Sequence, residues 1–316
     1  SNETQCGHLK KQRQHVRSTK QAPNQRINHS PQTEAVPKNI IHMSIFNACD
    51  TVYTDQTGKF PITSNRGNKY IMVMHEVGSN YIDAEPLKSR AENELVKTYE
   101  TLYERLTRTN KVTPKLHVLD NEAPTILKKV IKLQCTMQLA PPDTHRRNLA
   151  ERAIQTFKGH FISVLSGVDK NFPMEIWDRL IPQTVLTLNL LRQSKVNPKV
   201  STYEYINGKP FDYNAMPLGP MGCAVQFHDS VERRQSWAQR ALSGWYIRTS
   251  DEHYRCHCVY NKRTKAERIS DTVIFKHEYI TQPTVTPHDV LIKAITELTT
   301  TINGKTDVKE LIGRPC

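Results

Sequence analysis

Between Val52 and Leu87 the apolar residues fall in short blocks with strand periodicity. In one of them Tyr70, Met72 and Met74 alternate with Ile71 and Val73, a run apolar on both faces. Asn65-Arg66-Gly67-Asn68 and Gly78-Ser79-Asn80 supply turns, so three antiparallel strands are predicted. The period then lengthens. Leu95, Tyr99, Leu102 and Leu106 mark an amphipathic helix over 91–108, and Pro114 precedes a strand at Leu116 to Leu119. A helix over 123–133, a short strand at Met137 to Leu139 and a long helix from Asn148 to Leu165 follow. Beyond Phe172-Pro173, the apolar run through Ile176, Trp177, Leu180, Ile181, Val185, Leu188 and Leu191 reads as a buried helix pair or one bent helix, with Pro182 at the bend. This alternation predicts a mixed α/β sheet over 45–196.

Past Pro198 the pattern changes again. Pro, Gly and Asn cluster through a linker at 197–216, and strand candidates recur at 223–228, 244–249, 254–260 and 267–275. That spacing predicts a small all-β domain over 217–280, expected to fold independently. Residues 1–44 are rich in Gln, Asn, Lys, Arg and Pro and poor in apolar positions, which predicts a basic disordered arm. Residues 281–316 form a tail with one short helix suggested by Val290, Leu291, Ala294, Ile295 and Leu298. There are no internal repeats.

Three carboxylates stand out against this frame. Asp55 and Asp120 interrupt or end strand-like runs, while Glu151 opens a helical one. Each reads as a ligand of a hard cation. Acids that meet from separate elements repel one another unless a divalent cation lies between them, and Mg²⁺ suits an all-oxygen site. Two such ions could clamp the attacking and leaving oxygens of a phosphoryl displacement. The competing reading is ordinary: acids at strand ends and helix starts are commonly solvated or capping groups, and a Glu in a first helical turn is favoured by the macrodipole.

Helical spacing adds Gln155 and Lys158, four and seven residues beyond Glu151 and therefore on its face. Upstream, the loop Pro141-Pro142-Asp143-Thr144-His145-Arg146-Arg147 ends at Asn148, a candidate N-cap with Glu151 three residues on. Arg146 and Arg147 are candidate phosphate contacts. Lys128, Lys129 and Lys132 form a stripe that solvation alone explains. His253, Cys256, His257 and Cys258 suggest zinc by type, but strand alternation places them on opposite faces and four ligands cannot converge.

The 316 residues carry 44 Lys and Arg against 31 Asp and Glu, a formal net charge of +13 that favours polyanionic partners, nucleic acid above all. No stretch approaches the ~20 apolar residues of a spanning helix, so no membrane partner is expected. Seven scattered cysteines do not resemble a secreted disulfide framework and are expected to be reduced, inside the cell. A first residue of Ser suits a processed product or a fragment of a larger polyprotein.

The stretches YTDQTGKFP and SNRGNKYIMVM, then LDNEAP, PPDTHRRNLAERAIQTFKGHF, NFPMEIWDRLIPQTVLTLNLLR and GWYIRTSDEHYRCHCVY resemble integrases of long-terminal-repeat retrotransposons, particularly the copia type. The resemblance spans about 45–280. It implies an RNase H-like mixed sheet flanked by helices, followed by an SH3-like β-barrel, within a Gag-Pol-type polyprotein. It implies Asp55, Asp120 and Glu151 as catalytic residues and ligands of Mg²⁺ or Mn²⁺, processing the 3′ ends of element DNA and transferring strands into target DNA. Arg146, Arg147, Asn148, Gln155 and Lys158 would then hold double-stranded DNA, in a homo-oligomer that joins two ends and works in the nucleus and a cytoplasmic particle. Two departures are evident. The separation of Asp120 and Glu151 is 31 positions, shorter than is usual in the family, and the upstream His-His-Cys-Cys zinc module is not legible in Cys6, His8, His15, His29 and His42. Alternatives are an RNase H-like nuclease acting on RNA–DNA hybrids, and a decayed or domesticated element protein that binds nucleic acid without catalysis.

Overall fold

The computed structural model describes residues 2–8, 50–109, 112–120, 123–139, 149–229, 236–276 and 294–295. Its first sheet has five strands: β1 (Thr51–Gln56), β2 (Tyr70–Glu76), β3 (Ile82–Leu87), β4 (Leu116–Leu119) and β5 (Thr136–Leu139), in the order β3-β2-β1-β4-β5. β1, β2 and β3 form an antiparallel meander, whereas β4 and β5 run parallel to β1. This is the mixed α/β sheet that the alternation predicts.

β2 is buried from Ile71 to Glu76, because helices cover both sides of the sheet. On one side Val52, Met72 and Met74 meet Leu95, Tyr99 and Leu102 of α2 (Glu92–Glu104) and Leu127 and Ile131 of α3 (Thr125–Gln134). A wider helical turn, Arg105–Thr109, extends α2 and buries Leu106. The N-terminal end of α3 has no cap of its own in sequence; Glu92 of α2 serves it, accepting the Ile126 N–H at 2.7 Å.

On the other side Ile71, Val73, Ile82 and Ala84 meet Ala153, Ile154, Phe157 and Phe161 of α4 (Leu149–Ser166). Behind them lies a 3₁₀ turn, Met174–Leu180, that runs into α5 (Ile181–Leu191), with Pro182 in the first turn of α5 where its missing N–H costs nothing. Trp177 is fully buried, stacks on Phe60 at 4.2 Å and donates Nε1–H to Ile62 O at 2.9 Å.

The second sheet comprises β6 (Ala224–His228), β7 (Ala241–Thr249), β8 (His257–Asn261), β9 (Glu267–Ser270) and β10 (Val273–Phe275), all antiparallel in the order β10-β6-β7-β8-β9. Its edges are β9 and β10, yet only residues 271 and 272 connect them. Five flat strands would span about 19 Å, and three Cα steps reach only about 11 Å, so the sheet must curl. No ladder joins the two edges among the described residues, and the expected closed barrel is therefore an open, curled sheet.

The two sheets share one core. β7 alternates across its own faces: Trp245 and Ile247, with Tyr260 of β8, join the cluster of Phe161, Phe172, Trp177 and Leu180, while Tyr246 faces Val225, Phe227 and Val259. Gln183 of α5 fastens the contact, accepting from Tyr246 OH at 2.6 Å and Thr249 N at 2.8 Å and donating to Gly219 O at 2.9 Å. One face of the sheet within 217–280 is thus shared core, and separating it from the first sheet would expose Trp245 and Tyr260.

Three further differences concern local structure. Asn2–His8, within the arm expected to be disordered, is a helix (α1) packed on α4, where a Cβ on Gly7 would sit 2.0 Å from Ser163 Oγ, so only glycine permits the approach. The linker contains α6 (Thr202–Asn207), capped by Ser201, whose hydroxyl accepts Glu204 N–H at 3.1 Å, and ended by Gly208 at φ 68°. Strand β8 starts at His257 rather than 254 and is buried throughout, since the shared core and the sheet's own cluster cover it on both faces. The rest of the arm and most of the tail lie outside the described residues. Among the described residues no helix is long and apolar enough to cross a membrane.

Candidate metal and nucleic-acid site

The central pair of parallel strands positions the first two acids. β1 and β4 pair with Tyr53 opposite Val118. Two residues further along each chain come Asp55 and Asp120, which the same register sets side by side at the C-terminal ends of neighbouring strands. Side chains two apart share a face, and neighbouring strands lie about 4.8 Å apart. Asp55 stands opposite Val73 of β2, which belongs to the α4 side of the sheet, so its side chain projects toward α4.

Glu151 approaches from that helix. α4 buries Ala150, Ala153, Ile154, Phe157 and Phe161, leaving Glu151, Gln155 and Lys158 as one exposed stripe. The stripe predicted from spacing is therefore present. The two carboxylates beyond Asp55 act on it electrostatically: its acidity is weakened first by burial and then by the negative charges of Asp120 and Glu151, against the Gln56 N–H and Arg90, which favour the ionised form. Asp55 Oδ1 accepts that Gln56 N–H at 2.7 Å. Among the described residues no three His, Cys, Asp or Glu side chains stand close enough to hold a metal ion as they are. Arg146, Arg147 and Asn148 lie outside the described residues.

A cleft of about 320 Å³ opens beside Asp55 and Asp120 on the α2–α3 side of the sheet, lined also by Gln56, Arg90, Leu95, Pro124 and Leu127, and Glu151 is not in its lining. Two of its features escape a reading of the sequence. Arg90, between β3 and α2, donates to Thr57 O at 3.1 Å, lies over the Tyr70 ring at 4.9 Å and is the cation that opposes the build-up of negative charge on Asp55. Its only signal was a basic residue in a strand-to-helix loop. Gln56, in the lining, has its Oε1 buried without a hydrogen-bond partner.

Beneath the acids lies a buried polar chain. Thr54 Oγ1 and His117 Nε2 share a hydrogen bond of 2.8 Å across β1 and β4; His117 Nδ1 is 3.4 Å from Tyr99 OH, which donates to Gln134 Oε1 at 2.9 Å. Burial lowers the pKa of His117 to about 3, so it is neutral and adds no positive charge under the carboxylates. The chain ties β1, β4 and both covering helices together one residue below Asp55.

No family model matches this chain, and no curated protein matches it. Among solved structures, a chain of the simian T-cell lymphotropic virus intasome in complex with PP2A regulatory subunit B56 gamma is similar at 14% identity and a TM-score of 0.40, over 70% of this chain and 76% of that one. The catalytic core domain of BIV integrase is similar at 16% identity and a TM-score of 0.36, over 50% of this chain and 93% of that one.

Proposed function

We propose that the chain is a retrotransposon integrase, a polynucleotidyl transferase that processes the 3′ ends of element DNA and joins them to target DNA. The observation that supports this reading best is the register of β1 and β4, which sets Asp55 beside Asp120 while Glu151 on α4 adds to the charge felt at Asp55. Hard oxygen donors in mutual repulsion suit a small divalent cation, and Asp55, Asp120 and Glu151 would hold Mg²⁺ or Mn²⁺. Such an ion supplies charge compensation and Lewis acidity toward a phosphodiester. The residues of the chain then bind and orient. Gln155 and Lys158 continue the Glu151 stripe and offer a hydrogen-bonding group and a positive charge to the phosphates of a DNA end, with Arg146, Arg147 and Asn148 just upstream in sequence. Positioning and electrostatics carry most of phosphoryl transfer, so no covalent enzyme intermediate is needed.

The same reading takes double-stranded DNA as both substrates, a homo-oligomer as the working form and a Gag-Pol-type polyprotein as the source. It also takes the curled second sheet as an SH3-like module. The test is strand transfer from a pool of blunt duplexes with randomised ends into a supercoiled plasmid in Mn²⁺, with DNA binding measured on the same preparations. Asp120→Asn is expected to abolish joining and leave binding within about twofold. Undiminished joining by that variant sinks the assignment, and cleavage of an RNA–DNA hybrid without joining would replace it with a nuclease.

A further inference from the structure

A second cleft, of about 640 Å³, lies between the loop after α6 and the β7–β8 turn, away from the three acids. Its walls combine aromatic rings with carboxylates. Tyr203, Phe211 and Tyr254 line it, together with Asp212, Asp251 and Glu252, and Lys209 is the one lysine or arginine in the lining. Tyr203 meets Phe211 edge-on at 5.2 Å, and Phe211 meets Tyr213 edge-on at 4.8 Å. The rings are thus held at right angles to one another instead of stacking shut. The two walls are tied by Arg255 N–H donating to Ala215 O at 2.8 Å, and the Asp212 turn is fixed through Oδ1, which accepts from Asn214 N and Ala215 N. Phe211 is buried, whereas Tyr254 is 71% exposed, so the cleft has a fixed floor and an open rim.

Three acids against one lysine is an anomaly in a chain of net charge +13, even with Asp251 paired to Arg248 at 3.2 Å, since Asp212 and Glu252 have no such partner among the ion pairs of the described residues. Ring faces carry negative potential, and a cation seated over them gains most where carboxylates stand nearby. The neighbouring cleft, which shares Tyr203 and Asp251, has the same need. Its four arginines each hold an acid, Arg105 with Asp83 and Glu85, Arg66 and Arg179 with Glu267, and Arg248 with Asp251, although Arg179 Nε itself is buried and finds no acceptor. Yet Asp83 Oδ2 and Asp178 Oδ1, on residues 1% and 2% exposed, accept no hydrogen bond. Buried acceptors without donors are costly, and a cationic donor would satisfy them.

We propose that the aromatic and acidic cleft between residues 203–216 and 250–254 is a docking site for a lysine side chain of a basic partner protein. Nothing in the proposed DNA chemistry requires such a site, and the repulsion between this positively charged chain and a basic partner is overcome locally by the acids of the cleft. The partner is defined by its chemistry: an extended, lysine-bearing segment whose ammonium enters among Tyr203, Phe211 and Tyr254 while its neighbours face Asp251 and Glu252.

The probe is a fluorescein-labelled peptide of alternating Gly and Lys, titrated with the full chain by fluorescence anisotropy near physiological salt. Binding is expected for the lysine peptide and not for its fully acetylated form. Tyr254→Ala and Glu252→Gln, both at exposed positions, should each weaken it by about five- to tenfold without changing duplex DNA binding. No binding by the lysine peptide, equal binding by the acetylated peptide, or equal binding by both variants overturns the proposal. The chain's own arm carries seven lysines and arginines between residues 10 and 38. If peptide binding appears only when these are changed to glutamine, the arm is the occupant and a partner in trans is refuted.

Discussion

Gln183→Leu tests whether the second sheet is held by the core or merely linked to it. The side chain is 2% exposed and makes three hydrogen bonds across the junction, to Tyr246 OH, Thr249 N and Gly219 O. Leucine keeps most of the volume, so the cost is polar. Three bonds at a net ~1 kcal/mol each give about 3 kcal/mol. The Thr249 N–H loses its partner where water cannot replace it, which makes that figure a lower bound. Chemical denaturation in urea should show the loss directly, and thermal melting should fall by roughly 6–12 °C, taking ~2–4 °C per kcal/mol for a chain of this class. Tyr246→Phe removes the hydroxyl, which donates to Gln183 and accepts the Gly219 N–H at 3.2 Å, and leaves Gln183 bonded to Thr249 and Gly219, so it should cost about 2 kcal/mol, and the double variant should cost less than the sum of the two. A loss below about 1 kcal/mol for Gln183→Leu, or full additivity, would refute the claim that this amide joins the two sheets.

Asp55→Asn should stabilise the protein in EDTA at neutral pH. Burial and the neighbouring carboxylates raise the pKa of Asp55 above its unfolded value, so its favourable contribution is complete below the unfolded pKa and is lost as pH rises through the folded one. The difference in melting temperature should therefore shrink as pH falls toward the carboxylate range, and Mg²⁺ should stabilise the native chain alone; a variant less stable than the native chain at pH 7 in EDTA contradicts the electrostatic account. Lys158→Ala should lower the salt dependence of DNA binding by a slope of roughly 0.9 on a log–log plot, and an unchanged slope in a salt series would return this lysine to a merely solvated helix face.

Much of the first sheet was legible because its signals are local. β2 declared itself by an uninterrupted apolar run, α2 by the spacing of Leu95, Tyr99, Leu102 and Leu106, and the stripe of Glu151, Gln155 and Lys158 by helical geometry alone. The side-by-side placement of Asp55 and Asp120 was not, since it depends on which strands pair and in what register. Gln183 was hidden for a similar reason: within the apolar run of α5 it is one polar residue, and its meaning comes from Tyr246 and Thr249, more than sixty positions away. The helix α6 had a readable sign in Ser201-x-x-Glu204, overshadowed by the Pro- and Gly-rich residues around it. The shared core escaped because alternation in β7 shows that two faces exist without showing what covers each.

The pairing of β1 with β4 makes the backbone itself the ruler of the site. Asp55 and Asp120 emerge just past the last paired residues of adjacent strands, so their separation follows from the ladder below them more than from the packing of the side chains beneath. Glu151 stands on a different footing. It sits in the first turn of a helix whose packing against the sheet begins with Ala150 and Ala153, small residues that fix depth but grip weakly. Of the three acids, two thus stand at the ends of paired strands and the third on a separate helix, and substitutions that tilt the start of α4 should move Glu151 while Asp55 and Asp120 keep their places.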